Sequence, residues 1–104
     1  MKRGEIWWAA LDPPAGRRPV VLISRDDAYL RRQLIIVAPV TTRVRGIPSE
    51  LPLGPADGLS RSCVANLDTL TTINKARLEE LITPLTPDKL SALDLALRYA
   101  VGLR

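Results

Sequence analysis

Two adjacent arginines, Arg17 and Arg18, stand between a glycine-containing turn and the apolar run of residues 19–24. Guanidinium groups held at the mouth of a buried strand suit bidentate recognition of phosphate and stabilisation of charge on its oxygens. Thr41-Thr42-Arg43 offers two hydroxyls and a cation just past Pro39, which interrupts a second apolar run. Asn66-Leu67-Asp68 sets an amide and a carboxylate between two apolar stretches, and Trp7 or Trp8 could stack on a base. Each feature also has an ordinary reading: a charged strand end, threonines packing in a strand, a polar turn and core tryptophans. The absences narrow the chemistry further. The chain has no histidine, which removes the commonest general base and metal ligand and any Ser-His or Cys-His pair. Its one cysteine, Cys63, can close no internal disulfide and anchor no zinc cluster. Asp26-Asp27 and Glu79-Glu80 fall in polar segments and read as solvated faces, and the six glycines lie too far apart to cradle a phosphate. Arginine, hydroxyls and backbone remain, a set better suited to holding a phosphate than to redox, carbonyl or metal chemistry.

The elements that must position these groups fit in one small domain, because 104 residues and 11.4 kDa leave no room for a second. Residues 4–11 read as a strand closed by Asp12-Pro13-Pro14, with Ile6, Trp8 and Ala10 on one face and Trp7, Ala9 and Leu11 on the other. Residues 19–24 and 34–38 read as buried strands, joined through a short polar helix or crossover at 25–32; Pro39 predicts a bulge or edge. Residues 43–60 read as loops around a weak strand, and 62–67 and 69–73 as two further strands about Asp68. Thr86-Pro87-Asp88 is an N-cap, first-turn proline and first-turn acid; Leu90, Leu93, Leu97, Ala100 and Val101 follow at helical spacing until Gly102. The outline is mainly β with helices: a small barrel with a C-terminal amphipathic helix.

The net charge is +4, 12 of the 15 cations are arginine, and the whole excess lies in residues 1–52. A polyanionic partner would therefore meet the N-terminal half. No stretch of about 18 apolar residues and no leader-like N-terminus is present, so the expectation is a soluble, cytoplasmic protein.

Taken in order, the segments resemble the MazF/PemK (Kid-like) family of toxin endoribonucleases of type II toxin-antitoxin systems. Arg3-Gly4-Glu5-Ile6-Trp7-Trp8 with Leu11-Asp12-Pro13 resembles the family's opening strand, Arg18-Pro19-Val20-Val21-Leu22-Ile23-Ser24 its arginine-proline strand, and Val37-Ala38-Pro39-Val40-Thr41-Thr42 its proline-threonine segment. Residues 64–73 about Asp68, then Lys75, Arg77, Leu78, Leu85-Thr86-Pro87 and Val101-Gly102-Leu103, continue the likeness over nearly the whole chain. The resemblance implies an SH3-like β-barrel of the CcdB/Kid/PemK type over residues 1–104. It also implies a homodimer, sequence-specific cleavage of single-stranded RNA (mRNA) with no metal or other cofactor, inhibition of translation and growth, and silencing by an acidic antitoxin segment. By position it makes Arg18 and Thr41 catalytic, and Arg17, Thr42, Arg43, Asn66, Asp68, Thr69, Lys75 and Arg77 RNA-binding. The expected products are a 2′,3′-cyclic phosphate and a 5′-hydroxyl, with the general base unassigned because guanidinium stays protonated.

Two departures stand out. The loop before Arg18 is shorter than in many relatives and lacks their glutamate, and Thr69 stands where relatives often have glutamine. Two other functions fit the same outline: a CcdB-like toxin that poisons gyrase through its C-terminal helix, and a non-catalytic SH3-like module binding RNA or an acidic peptide.

Overall fold

Apolar runs as unbroken as residues 19–23 arise when both faces of a strand are covered, and here they are. The computed structural model describes all 104 residues. In chain order it contains β1 (Glu5–Ala10), β2 (Arg17–Leu22), α1 (Ala28–Arg31), β3 (Leu34–Thr41), β4 (Glu50–Leu53), β5 (Cys63–Asn66), β6 (Thr71–Asn74), β7 (Leu78–Pro84) and α2 (Pro87–Val101). The strands form a curled half-barrel in the order β4-β5-β3-β2-β1-β7, with β6 also paired to β3. All pairings are antiparallel.

Alternation divides each run between two cores. Ile6, Val21, Ala38 and Val40 face α2 and meet Leu93 and Ala96. Ala9, Val20, Leu22, Ile35 and Val37 face the other way and close around Tyr29, with Trp7, Leu11 and Leu78 at the margin. Buried Tyr29 donates its hydroxyl proton to the Ser24 carbonyl at 2.9 Å. Burial first, and the Asp26 carboxylate second, raise its phenol well above the usual tyrosine range.

Helix α2 begins and ends as its sequence dictates: the Thr86 side chain accepts from the Lys89 N–H, and Gly102 takes the left-handed conformation at φ +74°. It is tied down by Lys89, whose Nζ donates to the Pro52 carbonyl at 2.6 Å, and by Asp94, which receives Arg3 at 2.7 Å. No helix is long and apolar enough to cross a membrane.

Several expectations need correction, the first being that residues 34–38 form a buried strand: one face of β3 is open there, with Leu34 and Ile36 exposed. β2 begins at Arg17 rather than Pro19, which draws both arginines into the strand. Pro39 makes no bulge in β3: it stays in register opposite Val20 and takes an edge position, unpaired on the other side where β3 passes from β6 to β5, so its missing N–H is tolerated. Val101 closes the helix but is exposed rather than part of the core. Residues 78–84, which carry no clear strand signal, form the edge strand β7.

Candidate functional site

β2 and β3 place the two central side chains. The β2–β3 ladder ends at Val20 opposite Pro39, and just beyond it Arg18 on β2 and Thr41 on β3 border one cavity. Pro39 and Thr41 alternate onto the same face, Arg43 follows two residues past the end of β3, and the β3–β5 pairing brings the end of β5 alongside. Arg18, Thr41, Arg43, Asn66 and Thr69 thus line one open cavity of about 170 Å³ together with Arg45.

The hydrogen bonds leave donors free in this cavity. Arg18 donates only Nε inward, to the Ala15 carbonyl at 3.1 Å, so its two terminal nitrogens point away from that bond unpaired. Thr41 accepts the Arg43 N–H on Oγ1 at 3.2 Å and keeps its own proton to donate. Asn66 accepts the Asp68 N–H on Oδ1 at 2.9 Å, which turns its amide NH₂ outward. No acidic residue lines the cavity, and Arg18, Arg43 and Arg45 take part in none of the chain's ion pairs. Three uncompensated guanidiniums about two hydroxyls and an amide form a site for an anion with several oxygens.

Two larger hollows adjoin it. A trough of about 430 Å³ shares Arg18, Pro39 and Thr69 and runs along β6 past Thr71, Thr72 and Asn74. A more apolar hollow of about 350 Å³ shares Thr41 and is walled by Trp8, Leu59, Arg61 and Cys63. Burial first, and the Asp57 carboxylate second, raise the Cys63 thiol above its usual range.

The other residues singled out from the sequence are distributed differently. Arg17 and Arg18 do not act as a pair, because consecutive strand residues point to opposite faces. Arg17 bonds Glu79 at 2.8 Å and lies 4.2 Å over the Trp8 ring, covering the surface on which a base could have stacked. Thr42 lines the apolar hollow. Asp68 lines none of the three hollows and accepts the Ser49 hydroxyl at 2.5 Å. Lys75 donates to the Tyr29 carbonyl at 2.7 Å, away from them all. Arg77 borders the trough but is bonded to the Ala10 carbonyl and the Asp12 carboxylate, bracing the short β1–β2 loop. Sequence reasoning missed Arg45 and Arg61; for Arg45 the alternation Arg43-Val44-Arg45 was the available signal.

Comparison with known proteins identifies the family. Over 100 residues the chain is 40% identical to a protein of Mycobacterium tuberculosis named "Probable endoribonuclease MazF5", covering 95% of this chain and 91% of that one. It superposes on the M. tuberculosis toxin MazF-mt6 with a TM-score of 0.88 at 32% identity, covering 96% and 98% of the two chains. It also superposes on an endoribonuclease solved in complex with its cognate antitoxin, from a mycobacterial species, with a TM-score of 0.86 at 26% identity and coverage of 100% and 97%. The family described as "PemK-like, MazF-like toxin of type II toxin-antitoxin system" matches residues 2–101, and this chain therefore belongs to the MazF/PemK toxin family.

Proposed function

We propose that this chain is the toxin of a type II toxin-antitoxin pair and acts as an endoribonuclease on single-stranded RNA, with Arg18 and Thr41 as its catalytic residues. The observation that carries the reading is the cross-strand placement of Arg18 and Thr41 in a cavity that holds three unpaired guanidiniums and no acid. In the reaction the ribose 2′-oxygen attacks the adjacent phosphorus, the bond to O5′ breaks, and a 2′,3′-cyclic phosphate and a 5′-hydroxyl result. Negative charge grows on the non-bridging oxygens. The planar fork of Arg18 meets two of them, and the free Thr41 proton reaches one. Both donors are fixed before the substrate arrives, Arg18 by Ala15 and Thr41 by the Arg43 N–H. The cavity offers no carboxylate as a base, so the 2′-OH proton passes to water while the leaving O5′ takes one up, and the protein's part is charge stabilisation. Guanidinium supplies the positive charge that a metal would otherwise bring.

Arg43, Asn66 and Thr69 then hold the flanking RNA directly, whereas Arg17, Asp68, Lys75 and Arg77 support the surrounding fold. The work is cytoplasmic, where a single buried thiol stays reduced. A homodimer fits the apolar residues left exposed on two faces, Leu34 and Ile36 on β3 and Leu95 and Tyr99 on α2. An acidic, extended antitoxin segment would answer the unpaired arginines beside the apolar hollow.

The test is incubation with a long single-stranded RNA in EDTA, beside Arg18→Ala, with both new ends mapped. Cuts at a recurring short motif that carry 5′-hydroxyls and vanish in the variant are expected. Intact RNA overturns the reading: bound but uncut RNA leaves the binding module, and growth arrest through gyrase leaves the CcdB-like action.

A further inference from the structure

Glu50 is a carboxylate that neither the core nor the chemistry accounts for. On β4, Leu51 and Leu53 enter the core, and alternation turns Glu50 and Pro52 to the opposite face. Pro52 is exposed there, yet Glu50 is only 7% exposed. Its cover is the preceding loop, folded back over it. The Arg45 N–H reaches Oε1 at 3.0 Å and Oε2 at 3.3 Å, and the Gly46 N–H reaches Oε1 at 2.9 Å.

The loop has little core of its own. Val44 is 55% exposed and Ile47 38% exposed, so apolar burial does not explain its shape. The carboxylate does: out of water it must be hydrogen-bonded, and the two N–H groups that satisfy it fix the backbone at 45 and 46. Glu50 also faces Asn66 across the β4–β5 ladder, so the loop is anchored to the strand end that borders the cavity.

What the loop carries is Arg43 and Arg45, both lining the cavity of Arg18 and Thr41. Three unpaired guanidiniums repel one another, and long exposed side chains on an unbraced loop would move apart. We propose that Glu50 is a positioning residue of the RNA site, which holds the loop from beneath so that Arg45, with Arg43, grips a phosphate next to the one that is cut. The inference rests on the endoribonuclease reading of the cavity.

The experiment is steady-state cleavage of one RNA by wild type, Glu50→Ala, Glu50→Gln, Arg45→Ala and the Glu50→Ala/Arg45→Ala double variant. Losing a charge-assisted contact to phosphate in Arg45→Ala should raise KM about tenfold with kcat little changed. Glu50→Ala should raise KM in the same way, and the double variant should be no worse than Glu50→Ala, because an unbraced Arg45 has nothing left to lose. Glu50→Gln keeps an oxygen for both N–H groups and should stay within about threefold of wild type. A folded Glu50→Ala with wild-type KM, or effects that multiply in the double variant, overturns the proposal. If Glu50→Ala does not fold, Gly46→Ala decides: at φ +71° with nothing within 4 Å of the new Cβ, it strains the loop without emptying the buried site. It should raise KM about two- to fivefold, and an unchanged KM overturns the proposal. Wild type that cuts no RNA ends the functional reading and this inference with it, whereas wild type that cuts alongside an indifferent Glu50→Ala ends this inference alone.

Discussion

Replacing Arg43 and Arg45 together by alanine should flatten the salt dependence of RNA binding, by an amount the cavity sets. Each phosphate neutralised on a single strand contributes a slope of about −0.7 to log K against log salt, so three guanidiniums give about −2.1 per cavity. Between 50 and 200 mM salt, wild-type affinity should then fall about 18-fold per cavity, whereas the double variant, left with Arg18, should fall only about threefold. The assay is fluorescence anisotropy with a 2′-O-methyl oligonucleotide, which carries the phosphates but cannot be cut. Arg17→Ala is the comparison. Its guanidinium is already paired with Glu79 and stacked on Trp8, so its loss should leave the slope close to wild type. A double variant as salt-sensitive as wild type, or an Arg17→Ala slope as flat as the double variant's, would refute the assignment of the anion site to this cavity.

Leu93 is fully buried where α2 meets the sheet, and Leu93→Ala should cost about 2–5 kcal/mol in urea unfolding; a loss under 1 kcal/mol would show that the helix does not close the core as described. Thr86→Ala removes the side chain that accepts from the Lys89 N–H and should cost about 1 kcal/mol, with an unchanged midpoint contradicting the cap. Tyr29 sets the alkaline limit. Its folded-state pKa is raised, so the folded chain keeps a proton that the unfolded chain releases near pH ~10; stability is intact below that pH and falls as pH rises beyond it, by up to about 1.4 kcal/mol per pH unit. Tyr29→Phe should lose that part of the alkaline slope, at the expense of about 0.5–1.5 kcal/mol near neutrality for the bond to Ser24, and equal slopes in the two proteins would refute the assignment.

How much of this was legible from the residues follows from what each signal depends on. β2 was readable because both its faces are covered, which leaves Val20-Val21-Leu22 with no polar interruption, whereas the equally apolar start of β3 reads as buried although Leu34 and Ile36 are exposed. The C-terminal helix was readable because Thr86, Pro87 and Gly102 act locally. β7 was not: Leu78-Glu79-Glu80-Leu81 lies on an edge beside β1, with register shifts at Ile6/Trp7 and Trp8/Ala9, so strict alternation is lost. Arg18 and Thr41 were singled out together by family likeness, and their sharing of one cavity is a relation between strands that spacing along one chain does not encode. Arg17 and Lys75 read as free cations in the sequence, and their commitment to Glu79 and to the Tyr29 carbonyl depends on contacts 62 and 46 residues away. For Arg45 the alternation Arg43-Val44-Arg45 was the one signal present, and the brace beneath it was not legible, because a Glu50 carboxylate that bonds to backbone leaves no side-chain pattern.

The central claim is that a planar, preorganised Arg18 fork beside Thr41 stabilises the phosphorane in a 2′-hydroxyl attack. Single-turnover cleavage of one RNA by wild type and Arg18→Lys, in EDTA and at saturating protein, measures it most directly, because lysine keeps the charge and removes the fork. The account predicts a fall in the cleavage rate of about 10²-fold or more, with unchanged end chemistry in any product formed. An Arg18→Lys protein that cuts within about threefold of the wild-type rate would contradict it, leaving Arg18 as a charge that holds RNA and placing the chemistry elsewhere.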